Sequence, residues 1–409
     1  MLDLSDASVP EYQSSVGGER GGRLLYICDW LPPDFGAVGQ YAVIAARGLA
    51  ADGLDVTLAG LSTHGDSDTT VEIGQGRLRE IKLATRAYDK AAIRRRAAWT
   101  VGVNTRLLVR LWGLMRSADT ILFTGSPPLF LHWIAPANLI LRKELVYRIT
   151  DFHPECAIAQ RGAAGFFLGA LYRLTLFWRR RIDRFEALGE DQIERLVEIG
   201  IARDRILLKR DSSPVEISRD TQPLERPGGH SGKLLLLYSG NWGVAHDVAT
   251  FVEGYRRHHA EGSGRFVLWL NAVGANAARV ANALVEAGLP LIRSAPAPLD
   301  RLASLLVAPD AHLITLSDAF VGFVLPSKVY GCLASQRPIL FVGSRRSDVD
   351  LLCRQRGTDG YQRVDVGDVD GCCAALEQLA DVATEATKKV EVEAESRSPS
   401  SANSGKDVA

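Results

Sequence analysis

Short apolar runs alternate with stretches whose apolar residues recur at helical spacing, and this alternation predicts strands interleaved with helices. The pattern opens with RLLYICD (Arg23–Asp29), an apolar strand that leads into the glycine-containing loop WLPPDFGAVGQ. A helix is expected from Gln40, with Tyr41, Ile44, Ala45 and Leu49 on one stripe. LDVTLAG (Leu54–Gly60) reads as the next strand. A basic helical stretch follows, then the strand TILFTG (Thr120–Gly125), a helix around Leu129–Leu141 and the strand LVYRIT (Leu145–Thr150). A further helix leads to the short strand RFEAL.

The segment from Asp211 to Gly232, which runs PVEISRDTQPLERPGGHSG from Pro214 onward, is rich in Pro, Gly and Ser and reads as a linker,. A second array follows, with strands near 234–239, 265–271, 289–293, 311–317 and 338–342. Strands this apolar, separated by helices, imply parallel sheets covered on both faces. The expected organisation is a flexible leader over 1–21, an N-terminal domain over 22–210, a linker over 211–231, a C-terminal domain over 232–381 and a disordered tail over 382–409. Two Rossmann-like domains of this kind hold ligands at the carboxyl ends of their strands, in a cleft between the domains.

Composition adds little to this picture. At 409 residues the chain suits two domains,. Lys+Arg and Asp+Glu both total 48, so net charge points to no nucleic-acid partner,. Locally the balance shifts: Arg77 to Arg116 holds eleven basic residues against two acids, Glu80 and Asp89. The six cysteines lack any CxxC or metal-ligand spacing and read as reduced thiols,. No apolar stretch is long enough to span a bilayer,. The N-terminus lacks the apolar core of a signal peptide, so a cytoplasmic protein is expected,.

Candidate chemistry gathers at strand ends. Ser327 and Lys328 follow Pro326 where a short helix begins. Ser327 is a good N-cap, and helix-opening N–H groups with an ammonium beside them suit a diphosphate. The plainer alternative is a cap and a solvated lysine. A lysine in a first turn opposes the helix dipole by roughly 0.3–1 kcal/mol, which favours a nearby anion. Gly240 and Asn241 close the first strand of the second array, where glycine admits a ligand near the backbone and asparagine can hydrogen-bond it. An ordinary strand-helix turn is the alternative. Asp151 and His153, in TDFHPE, stand beyond a strand end; His153 can act as base or polarise an acceptor and Asp151 can orient it,. The alternative there is a structural loop. His246, His258, His259 and His312 show no metal spacing, and His258 and His259 are expected on the surface at a helix end,. No metal is expected.

Two basic-aromatic stretches, AAIRRRAAWTVGVNTRLLVRLWGLMR and GFFLGALYRLTLFWRRRIDRF, suit an anionic membrane surface,. The alternative is a core-packed helix with an arginine-rich outer face. No nucleic-acid motif accompanies the arginines.

These residues carry a family likeness over roughly 22–345. DWLPPDFGAVGQYAVIAARGLAADGLDVTLAG resembles the opening of GT-B glycosyltransferases of family 4, and LLLLYSGNWGVAHDVATFVEGYR resembles the start of their donor domain. VGFVLPSKVYGCLASQRPILFVG resembles the donor motif of a subgroup carrying PSK-x-Y, known from bacterial surface-polysaccharide assembly, and YRITDFHPE suits that subgroup. The resemblance implies α/β architecture of GT-B type, with two Rossmann-like domains whose parallel sheets face a cleft. It also implies retaining transfer of a sugar from a nucleotide-sugar co-substrate to an acceptor, such as a lipid-linked saccharide at the inner face of the membrane. No other cofactor is implied. Donor binding would fall to Gly240, Asn241, Ser327, Lys328 and Tyr330, with Gly36 and Gly39 on the cleft loop and Asp151 and His153 catalytic or positioning.

The chain departs from the family at two points. Where many members carry two glutamates eight residues apart, this chain has Phe323 and Gly331, and it offers Asn241, Trp242 and His246 where Arg and Lys are usual. Either Ser327 and Lys328 take over the phosphate contacts or donor binding is altered. The rival readings are a GT-B nucleotide-sugar epimerase and a non-catalytic GT-B scaffold protein. A dinucleotide oxidoreductase is disfavoured, because no G-x-G-x-x-G follows either first strand,.

Overall fold

A computed structural model describes residues 21–397, apart from 35, 87–92, 230–231, 356 and 358–359. The leader expected over 1–21 thus lies, but for Gly21, outside the described residues. Two compact units are present. One runs to Pro214 and includes Ala319–Tyr330 and Arg346–Asp348; the other comprises Val215–Asp318, Gly331–Arg345 and the chain from Val349 onward.

The first unit opens with β1 (Arg23–Trp30), α1 (Ala37–Ala51), β2 (Asp55–Ser62), β3 (Ser67–Ile73), β4 (Gly76–Ala84) and α2 (Ile93–Ser117). It continues through β5 (Thr120–Thr124), α3 (Leu131–Leu141), β6 (Glu144–Ile149), α4 (Glu155–Arg161) and α5 (Phe166–Arg179). β7 (Arg184–Ala187), α6 (Glu190–Glu198) and β8 (Ile206–Leu208) complete it. Its eight strands lie in the order β3-β4-β2-β1-β5-β6-β7-β8. All neighbours are parallel except β3 and β4. The apolar run of β1 serves both faces of the sheet. Leu25 and Ile27 enter a core with Phe123, Tyr147 and Phe185, whereas Leu24, Tyr26 and Cys28 pack with Ala42, Ala46 and Leu49 of α1. That double burial is why the strand reads as continuously apolar.

The second unit contains β9 (Leu234–Asn241), α7 (Ala249–Ala260), β10 (Phe266–Val273), α8 (Ala275–Glu286), β11 (Leu291–Arg293), α9 (Leu299–Val307) and β12 (Ala311–Thr315). α10 (Lys328–Ala334), β13 (Ile339–Val342), α11 (Asp348–Gln355), β14 (Tyr361–Val364) and α12 (Val369–Arg397) follow along the chain. Its six strands run parallel in the order β11-β10-β9-β12-β13-β14. In each sheet the first strand is flanked by one that precedes and one that follows the reversal of winding, between β1 and β5 and between β9 and β12. Such reversals open a crevice at the strand ends, where α/β sheets take their ligands.

Four features differ from the sequence reading. The hairpin of β3 and β4 occupies part of the stretch read as basic helix. β3 is an edge strand with every residue but Ile73 exposed, so it has no apolar alternation to betray it,. The basic excess there is offset by acids from neighbouring strands and loops: Arg77 pairs with Asp55, Arg79 with Asp68 and Arg106 with Asp66. The buried stripe of α1 is Tyr41, Ala42, Ala46, Leu49 and Ala50, which leaves Ile44 exposed. A phase set by bulky residues missed the alanines that allow the helix close to the sheet. α12 continues to Arg397, past residue 382, where a tail without structure was expected. Ala, Glu and Lys sustain helix without an apolar stripe. Of the two histidines expected on the surface, His258 is buried and His259 half-buried, and His312 is buried as well. His258 Nδ1 lies 2.5 Å from Glu377, and His312 Nε2 meets Ser335 at 2.9 Å. Burial pushes His312 down to about 4, so it is neutral at pH 7,.

Candidate functional site

The C-terminal edge of the eight-stranded sheet collects most of the predicted residues. β1 ends at Asp29 and Trp30, β5 leads to Gly125 and Ser126, and β6 leads to Asp151 and His153. Asp151 bridges to Val324, and the Phe152 N–H donates to the Phe323 carbonyl at 3.0 Å. The segment from Ala319 to Tyr330 is thereby laid along this edge, within the first unit. Asp191 ties it down further, accepting from the N–H of Gly322 at 3.3 Å and of Asp348 at 3.2 Å. Asp348 in turn holds Arg210 in a bidentate pair at 2.8 and 2.9 Å.

Along this edge Ser327 meets the Tyr41 hydroxyl from α1, and the Tyr41 and Tyr330 rings pack edge to face at 6.4 Å. Tyr330 is buried, whereas Ser327 and Lys328 are half-buried, with the Lys328 Nζ shielded from solvent. α10 has only seven residues, so its dipole is smaller than that of a long helix,. Gly39 has a packing reason for its identity. A Cβ there would lie 1.8 Å from the Trp30 carbonyl oxygen, so no other residue lets the first turn of α1 rest on the end of β1. At Gly36 the same atom would make only ordinary contacts at 3.8 Å.

Beneath this edge lies a charge network that sequence reasoning missed. Arg148 pairs with Glu186 at 2.8 Å and with Asp211, and Lys209 reaches Glu186 at 3.3 Å. Arg148, Glu186 and Asp211 are all buried side chains. Two cations and two anions balance, which is the condition for burying them at all. Asp211, expected to open a linker, is instead anchored in the first unit. Close by, Arg179 forms a fully buried pair with Glu155, donates to the His153 carbonyl at 3.0 Å and stands over the Phe152 ring at 5.0 Å. His153 is therefore held from behind. The signal for both pairs was present in the sequence, as charged residues inside apolar strands or helices, but their partners come from elements far apart in the chain.

Asp29 was also missed. Its carboxylate is pushed up to about 6, first by burial and also by the charge of Asp151, against hydrogen bonds from the Trp30 N–H and the Ser126 hydroxyl. Its Oδ1 accepts no hydrogen bond from the described residues. Asp151 is raised as well, by burial, with His153 opposing. The strand ends of β1 and β6 thus present two carboxylates that resist ionisation together. A raised carboxylate favours the folded state only while it is protonated, so its ionisation costs stability as pH climbs from about 4 through 6. Asp29→Asn is accordingly expected to raise stability by on the order of 1–3 kcal/mol at pH 8 and to leave it unchanged at pH 3.5. Calorimetric melting at the two pH values checks this, and an equal gain at both would remove the carboxylate charge as its cause.

In the second unit, Gly240 and Asn241 end β9 at that sheet's own reversal point. Gly240 has a φ of +97° with nothing within 4 Å of an added Cβ, so conformation and not space demands glycine,. Asn241 is exposed, and its Oδ1 occupies the space that a Cβ on Gly274 would fill, at 2.4 Å. Trp242 is fully buried and stacks on Tyr238 at 3.7 Å. His246 Nδ1 meets the Thr315 carbonyl at 2.5 Å, and the Ser317 N–H donates to Ala245, closing the β9 loop against β12. Among the described residues, no group of three or more His, Cys, Asp or Glu side chains is arranged to hold a metal ion.

No family model matches this sequence, and no curated protein matches it. Solved structures do match. An α,α-trehalose-phosphate synthase (UDP-forming) from Burkholderia vietnamiensis shares 12% identity at a TM-score of 0.58, covering 90% of this chain and 95% of that one. Anabaena HepE, solved with UDP and glucose, shares 10% identity at a TM-score of 0.54 over 92% of this chain and all of its own. The lipopolysaccharide outer core galactosyltransferase WaaB gives 12% identity and a TM-score of 0.51, over 89% and 91%. Identity at this level speaks to architecture alone. The chain has the GT-B fold, two parallel-sheet α/β units of eight and six strands.

Proposed function

We propose that this protein is a glycosyltransferase of family 4 type that moves a sugar from a nucleotide-sugar donor to a glycan acceptor, with retention. The observation that carries the reading is the chain-long likeness to nucleotide-sugar enzymes. One such neighbour, described as from E. coli, was solved with UDP-2-fluoro glucose, and Anabaena HepE was solved with UDP and glucose. In this reading Ser327 and Lys328 neutralise the donor's diphosphate, with Tyr330 fixing their segment on Tyr41. Stabilising the departing nucleoside diphosphate is the main catalytic term, which preorganised donors and an ammonium group supply without a metal. Asp151 and His153 orient the acceptor hydroxyl, and Arg179 holds the His153 backbone for that task. The acceptor is a lipid-linked saccharide of surface-polysaccharide assembly, met at the inner face of the cell membrane.

A thermal-shift panel of nucleotide sugars tests the reading. A selective ligand at 100 times its Kd stabilises the folded state by about 2.7 kcal/mol. No shift with any nucleotide sugar would remove the donor assignment. Selective binding without transfer to any acceptor would leave a non-catalytic relative.

A further inference from the structure

The two basic-aromatic stretches of the sequence fare differently in the structure. α2 turns Val103, Leu107, Leu111 and Met115 into the core, as an ordinary covering helix does. α5 does not. Residues 161–167, at the turn from α4 into α5, are all exposed, and beyond Arg161 they carry no polar side chain. Phe166 and Phe167 are 85% and 86% exposed, their rings edge to face at 5.5 Å. Farther along the helix Leu174 and Phe177 are also exposed. Two bare neighbouring phenylalanines at one tip are not explained by packing within the chain.

Charge identifies the occupant. Arg161, Arg173, Arg180 and Arg181 are exposed on this turn and helix. The one acid between residues 155 and 182 is Glu155, which is buried against Arg179. Arg181 lies over the Phe177 ring at 3.5 Å, so a cation and an apolar ring share one surface,. Gly165 precedes α5 as its N-cap and, having no side chain, offers no side-chain acceptor to the N–H groups of the first turn,. Those amides tolerate phosphate oxygens and not hydrocarbon. The depth is therefore interfacial, with rings among the upper acyl chains and arginines and amides at headgroup level.

We infer that the α4–α5 tip is a membrane wedge that docks this protein on an anionic bilayer through Phe166 and Phe167. This goes beyond the transferase reading and stands without it, since the argument uses only this turn and helix. The experiment is co-sedimentation of the full chain with vesicles of phosphatidylglycerol and phosphatidylcholine, and with phosphatidylcholine alone. The wild type should bind the anionic vesicles, more weakly as salt rises, and bind the neutral ones poorly. Phe166→Ser/Phe167→Ser should weaken binding at least about tenfold with an unchanged melting temperature, because both rings are already in water. Failure of the wild type to bind anionic vesicles overturns the inference, as does binding that the double variant does not weaken. Sedimentation velocity covers the other occupant: self-association that the double variant abolishes would make the tip a contact between copies of this chain and overturn the membrane assignment.

Discussion

Replacing Arg179 by methionine is expected to destabilise the protein by about 3–5 kcal/mol, because it leaves the Glu155 carboxylate buried without its counter-charge. Arg179 has no exposed surface, and Glu155 is 3% exposed, so water cannot substitute for the lost partner. Denaturant unfolding measures the effect. Arg179→Met/Glu155→Leu should recover much of the loss, since an apolar pair of similar volume removes both charges at once. A single-variant cost under about 1 kcal/mol would show that the pair is not confined as described. The same substitution removes the donor to the His153 carbonyl. If His153 positions an acceptor, turnover of the surviving folded fraction should fall while nucleotide-sugar affinity stays constant.

Lys328→Ala carries the largest expected effect on activity. With the transferase reading, loss of the ammonium group from the diphosphate should lower kcat/KM by about 10²–10³, the range found when one preorganised electrostatic donor is removed. Melting temperature and nucleotide-sugar Kd must be measured beside it. Lys328 is half-buried with a shielded Nζ, so a lysine that serves only the packing of this segment would show lost stability and unaltered donor affinity. That outcome would transfer the phosphate role away from Lys328. A weaker Kd with stability intact would keep it there.

Much of the architecture was legible in the chain. Strands β1, β5, β6, β9, β10, β12 and β13 were readable because each is buried on both faces and hence apolar throughout,. β3 and β14 were not readable. The exposed edge strand β3 has no apolar face, and β14 has four residues with only Val364 buried. The same logic applies to the site. Asp151 and His153 were legible as a polar pair just beyond an apolar strand, and that strand is β6. Asp29 was not, since one acid closing an apolar strand gains its meaning only when Ser126 and Asp151 stand beside it.

The order of apolar runs, with glycines and prolines between them, was enough to specify two parallel-sheet α/β units, because local burial requirements are written residue by residue into hydrophobic pattern. Tertiary structure alone decided which unit each segment serves. Ala319–Tyr330 lies in the second half of the sequence yet belongs with the first unit, through Asp151, Phe152, Asp191 and Tyr41. Packing alone likewise distinguished α2, which buries its apolar side, from α5, which leaves two phenylalanines bare. The physical reason is common to both: pairing between distant residues depends on where the backbone brings them. A pattern that repeats every two or every 3.6 residues carries no record of those meetings.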